Sequence, residues 1–111
     1  MNLRNDEITR DREKFKQNNG TILRMTVQVL PCAWFTKKDL KTVLAAEKMT
    51  ANELNYSLNY LEGAGYIEGR LAETRAKVSI ADFDEDLLEL KLTAEGTKVI
   101  MGFVQDNAVE I

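Results

Sequence analysis

The sequence contains no histidine, one cysteine, one proline and one tryptophan in 111 residues. Without histidine, Ser-His and Cys-His nucleophilic chemistry and histidine-ligated metal sites are excluded within this chain. The lone Cys32 can form neither an internal disulfide nor a multi-cysteine zinc site, and gives no sign of an oxidising compartment. Beside Pro31 and Trp34 its thiol reads as a small buried hydrophobe rather than a nucleophile. Long apolar runs are missing as well. Charges interrupt every stretch well short of the roughly 20 residues that span a bilayer, and the start, from Met1 to Glu7, is too polar for a signal peptide. No strand-to-helix glycine motif for phosphate is present, since Gly63, Gly65 and Gly69 fall at a helix end. A cytoplasmic protein that binds rather than catalyses, with no cofactor and no membrane partner, is expected.

What is present suits one soluble domain. The length is too short for two ordinary cores, and 44% hydrophobic with 30% charged residues is a globular composition, not a disordered one. The net charge of -3 is unevenly spread. Residues 1–20 sum to +1, residues 21–60 to +2 and residues 61–111 to -6. A nucleic acid would therefore meet the N-terminal half, because the C-terminal half repels phosphate on average.

Residues 2–18 are dense in charge, with only Leu3, Ile8 and Phe15 as large apolar residues, and read as a solvated helix or a partly ordered arm that ends at the breaker Asn18, Asn19, Gly20. From Thr21 to Leu30 the apolar residues fall on adjacent helical stripes, which predicts a buried helix stopped by Pro31. Thr36 with Asp39, then Leu40, Val43 and Leu44, predicts a capped helix of about ten residues. Thr50 and Glu53 have capping-box spacing and open another helix, with Leu54, Leu58 and Leu61 as its core stripe and Gly63 and Gly65 at its end. Beyond Gly65 the apolar period shortens to two. Tyr66 to Glu68 opens one strand; Val78 and Ile80 alternate in a second, and Leu88, Leu90 and Leu92 in a third, the last two forming an antiparallel hairpin tipped by Asp82 to Asp86. Thr93 then caps a last helix whose apolar face is Val99, Ile100, Phe103 and Val104. The fold class is α+β and mostly helical: a charged arm or helix over residues 1–20, a domain over 21–105 with three helices, a β-hairpin and a C-terminal helix, and a tail over 106–111.

The run from Thr36 to Gly96 resembles the winged helix-turn-helix superfamily of small transcription regulators, including the MarR and PadR types. The matching residues are Asp39 and Leu40 in the first motif helix; Asn52, Glu53, Leu54, Leu58, Leu61 and Glu62 in the second; Gly65, Tyr66 and Ile67 opening the wing; and Leu92 to Gly96 closing it. The resemblance implies that the helix from Thr50 to Gly63 is a recognition helix for the major groove and that the hairpin near Asp82 to Asp86 is the wing. Two features depart from that pattern. The recognition helix has no Lys or Arg, and the wing tip is acidic.

The candidate residues for double-stranded DNA follow from those positions. Asn52, Asn55, Tyr56 and Asn59 share one helix face, where Asn amides can pair with base edges, or simply coat a solvated surface. Lys37, Lys38 and Lys41 cluster at the start of the preceding helix, either neutralising phosphates or lining a solvated face. Arg70, Arg75 and Lys77 lie at the base of the wing, where Glu68 and Glu73 offer competing partners. Asp82, Asp84, Glu85 and Asp86 lack the loop length and glycine of an EF-hand and read as a solubilising turn, with Phe83 as an aromatic that either makes a contact or folds back. Ile100, Phe103 and Val104 form either a self-complementary homodimer face or an internal contact with the helix at 21–30. A DNA-binding transcriptional regulator is the leading expectation. The alternative is a winged-helix protein-interaction module that uses Phe83, Tyr56 and Tyr60 and never meets DNA.

Overall fold

The computed structural model describes residues 2–28, 34–80 and 86–111, with side chains from residue 11 onward. Among the described residues, four α-helices and three short strands follow one another as α1 (Asn2–Gln28), β1 (Phe35–Thr36), α2 (Lys37–Val43), α3 (Ala51–Gly63), β2 (Ile67–Arg70), β3 (Glu89–Leu92) and α4 (Ala94–Ile100). The strands form one antiparallel sheet in the order β1-β3-β2. Leu90 pairs with both Phe35 and Gly69, and Leu92 with Ile67. This register turns Phe35, Ile67 and Leu90 to the helices, where all three are buried. The mixed α+β architecture expected from sequence is present. Among the described residues no helix is long and apolar enough to cross a membrane.

Local chemistry sets the helix starts. Thr36 accepts from the Asp39 backbone N–H at 3.0 Å while the Asp39 carboxylate accepts from the Thr36 N–H at 3.2 Å. Thr50 and Glu53 make the same reciprocal pair at 3.1 and 2.9 Å. Each box satisfies two backbone donors that a helix start leaves orphaned. The second box heads α3, whose Leu54, Leu58 and Leu61 enter the core with Ile22 and Leu23 of α1, Leu40 of α2 and Val99 of α4. Burying a leucine of this kind contributes about 1.5–3 kcal/mol.

Several expectations are corrected. Helix α1 runs through Asn18, Asn19 and Gly20 without a break. A helical glycine costs about 1 kcal/mol relative to alanine, but here tertiary packing requires it. The C-terminal segment crosses α1 at this point: a Cβ on Gly20 would collide with the Glu110 carbonyl oxygen, and Asn19 Nδ2 donates to the Ala108 carbonyl at 2.9 Å. Residues 106–111, read as a tail, are therefore laid down on α1, with Val109 buried. Helix α2 has seven residues, not about ten, because a 3-10 turn at Ala45–Glu47 and a left-handed Lys48 (φ 56°) follow it. The hairpin partners also change. β3 pairs with Ile67–Arg70, and Val78 to Ile80 form no strand of their own. Residues 77–78 instead fold back on β2 through the Arg70–Lys77 bridge and the bond from Val78 N to Gly69 O. The tip of this fold-back is the turn from Leu71 to Ala76, with Arg75 left-handed at φ 60°. Helix α4 ends at Ile100, so Phe103 and Val104 lie beyond it, 82% and 43% exposed, while Val99 is buried. The stop at Pro31, Cys32 and residues 81–85, with Phe83 and most of the acidic tip, lie outside the described residues.

Candidate functional site

Around the axis of α3, successive residues advance about 100°. This orders its outer positions as Glu62, Asn55, Asn59, Asn52, Tyr56, Tyr60 and Glu53. The middle of that arc, Asn55, Asn59, Asn52 and Tyr56, is exposed, with Tyr56 at 73%. The four residues expected to form one polar face do form it. Their uncharged amides and phenol offer both donors and acceptors, the functional groups that base edges match.

The two flanks of the arc are fixed by different elements. On one side Glu62 accepts from the Ile80 backbone N–H at 3.0 Å and from the Ser79 hydroxyl at 3.2 Å. That contact holds the chain leaving the Leu71–Ala76 turn against α3. Arg75 and Lys77 are both exposed on this fold-back; Lys77 is paired only loosely with Glu68, at 3.8 Å. Expected at the base of a wing, Arg75 stands at a tip. On the other side α1 closes in. The Phe15 ring meets Tyr56 and Tyr60 edge-on at 5.6 and 5.3 Å, and Lys14 Nζ binds Glu53 at 2.6 Å. That ammonium, together with the Thr50 backbone N–H, holds the Glu53 carboxyl below its ordinary pKa.

The remaining cations are less available. Lys37, expected on an exposed helix start, is only 1% exposed; it sits at the seam between α2 and the chain entering β3, where its backbone N–H is bonded to Leu88 O. Lys41 is exposed but binds Asp86 at 2.9 Å, and this contact lowers the Asp86 pKa. Lys38 beside them is exposed. Arg70 is held on the outer face of the sheet: its Nε binds Glu89 at 2.8 Å and its guanidinium lies 3.9 Å over the Trp34 ring. The end of the acidic stretch thus neutralises part of the lysine cluster, a pairing across 45 residues that no local pattern announces.

A second constellation escaped the sequence entirely. Asp106 Oδ2 accepts from the hydroxyls of Tyr60 at 2.7 Å and Tyr66 at 2.6 Å, and Oδ1 accepts from the Ala108 N–H at 2.8 Å. Burial alone would raise the Asp106 pKa, but these bonds outweigh it and the net shift is downward. Both phenols are pushed up to about 12: Tyr60 by burial and then its bond to Asp106, Tyr66 by that bond and then burial. The clasp ties the C-terminal segment to α3 and to the start of β2. Among the described residues no group of His, Cys, Asp and Glu could hold a metal ion. No family model, curated protein or solved structure matches the chain.

Proposed function

We propose that the chain is a cytoplasmic DNA-binding transcriptional regulator of the winged helix-turn-helix kind, with α3 as the recognition helix. The carrying observation is the exposed, uncharged face of Asn52, Asn55, Tyr56 and Asn59, flanked by a hairpin that carries Arg75 at its tip and Lys77 just after it. The order of helices and the central place of β3 support the winged reading. In it the amides meet base edges while Arg75, Lys77 and Lys38 meet phosphates, the ordinary division between contacts that specify and contacts that position.

Three phosphate contacts make affinity fall roughly 40-fold between about 50 and 200 mM salt, since each contributes about 0.9 to the logarithmic slope. Fluorescence anisotropy against random duplex DNA at those two salts measures it; a salt-independent or absent complex speaks against the reading. Phe103 and Val104, solvent-exposed beyond α4, support pairing of two copies, with Met101 beside them and Ile100 turned partly toward the core. Phe103→Asp is expected to convert a dimer to a monomer in sedimentation velocity without changing the helical circular dichroism.

One set of observations favours a protein-interaction module instead: Lys37 is buried, Lys41 and Arg70 are paired, and Tyr56 and Phe103 stand exposed. In that case binding is to a protein surface and changes little over the same salt range.

A further inference from the structure

We infer that α1, around Asp11 to Asn18, forms the second phosphate-holding rim of the DNA interface, with Arg12 as its principal contact. The inference rests on the DNA reading of α3 and names what that helix lacks. A recognition helix lying in a major groove about 12 Å wide has a phosphate strand on each side. The hairpin tip serves one side only. A helix without Lys or Arg needs cations from both of its neighbours.

The geometry supplies the other neighbour. α1 is about 40 Å long at 1.5 Å per residue, and it packs against α3: Lys14 meets Glu53 and Phe15 meets Tyr56 and Tyr60. Between the two helices lies an open groove of about 680 Å³, lined by Asp11, Arg12, Lys14, Asn18, Asn52 and Tyr56 among others. It occupies the flank of the Asn face opposite the hairpin, which is the Glu62 side.

The donors around this groove suit a phosphodiester. Arg12 is exposed and makes no ion pair among the described residues. Lys14 spends one of its three donors on Glu53, and the same contact occupies Glu53, so that carboxylate does not confront the incoming phosphate alone. Asn18 and Asn52 add amides, and the Tyr56 and Phe15 rings give the groove a floor against which a sugar can lie. Asp11 is the opposing charge. It shares the groove and weakens the attraction, so the rim holds about one phosphate at Arg12 rather than several.

The two neighbours make opposite predictions. Arg12→Ala is expected to reduce the logarithmic salt slope for duplex DNA by about 1 and to weaken binding five- to tenfold at about 0.1 M salt, alike for every sequence. Asp11→Asn is expected to tighten binding roughly twofold, by removing a like charge near the phosphate. Both residues are exposed, so unchanged circular dichroism and melting should accompany both variants. Anisotropy titrations of wild type, Arg12→Ala, Asp11→Asn and Arg75→Ala over a salt series read all of this. If Arg75→Ala lowers the slope while Arg12→Ala and Asp11→Asn leave it and the affinity unchanged, the α1 rim is overturned and the DNA reading stands. If the wild-type chain binds no duplex at the lowest salt, the DNA reading itself fails.

Discussion

Gly96→Ala is expected to lower the thermal unfolding midpoint by about 12 °C, although alanine is the better helix former. Gly96 is buried in the first turn of α4, where its N–H donates to Thr93 Oγ1 at 3.1 Å. The same hydroxyl donates to the Gly65 carbonyl, and the Thr93 N–H bonds to Tyr66 O at 2.9 Å, so α4 begins hard against the start of β2. A Cβ at position 96 would run into the Tyr66 carbonyl oxygen and stand 2.6 Å from Leu92 Cδ1. Helix propensity favours alanine by about 1 kcal/mol. Overpacking costs about 1–3 kcal/mol where side chains can give way, and more where backbone is struck. The collision dominates, leaving a net loss of about 3 kcal/mol, and a domain of this size loses about 4 °C per kcal/mol. Differential scanning calorimetry decides it: a midpoint equal to or above wild type would show that α4 shifts freely over β2.

Asp106→Asn is expected to destabilise the fold by about 2 kcal/mol at neutral pH, as hydrogen bonds to a charged acceptor are lost. An amide offers one oxygen where the carboxylate offers two, so its NH₂ faces either the Ala108 N–H, where a donor meets a donor, or the two phenols, which must then turn to accept and lose their charged acceptor. The pH dependence follows from the directions of the shifts. The Asp106 pKa is lowered on folding, so its stabilisation is present above the ordinary carboxylate value of about 4 and is lost as pH falls through the folded value. The phenols are raised to about 12, so their contribution is full below about 10 and lost as pH climbs from 10 to 12. Urea denaturation across pH should therefore show a flatter acid limb for Asp106→Asn than for wild type. Absorbance titration of tyrosinate should show two phenols ionising at lower pH in the variant. Identical titrations in both proteins would mean that the clasp does not exist in solution.

What could be read from the sequence divides by distance along the chain. The two capping boxes span three residues each, and Thr36 with Asp39 and Thr50 with Glu53 were legible because their chemistry is local. So was the alternation of Leu88, Leu90 and Leu92, which the sheet imposes on any strand with one buried face. The exposed Asn face of α3 followed from the leucine stripe opposite it. Misreadings arose where a distant partner decides. Asn18 to Gly20 has the composition of a breaker, yet the helix continues because the Ala108 and Glu110 carbonyls meet it there. Val78 and Ile80 alternate like a strand, but Ile80 is buried because its N–H is captured by Glu62 and its side chain covers Gly69. Lys37 carries a charge that suggested exposure, and the seam with Leu88 buries it. Nothing near Asp106 points to Tyr60 and Tyr66, which lie 46 and 40 residues away.

The central position of β3 orders the events of folding. β1 and β2 touch β3 but not each other, so until the Glu89–Leu92 segment arrives β1 has no ladder partner and β2 has only the short fold-back at residues 77–78. The capped helices α2 and α3 need only short loops to meet, whereas β3 must close a loop of more than 50 residues to reach β1, with an entropic cost that grows with length. The helices are thus placed to form first and the sheet to close last, in one step that satisfies both edges of β3 together. Until that step two strand edges stand open, and the chain is most exposed to pairing with its neighbours in the interval between helix formation and strand insertion.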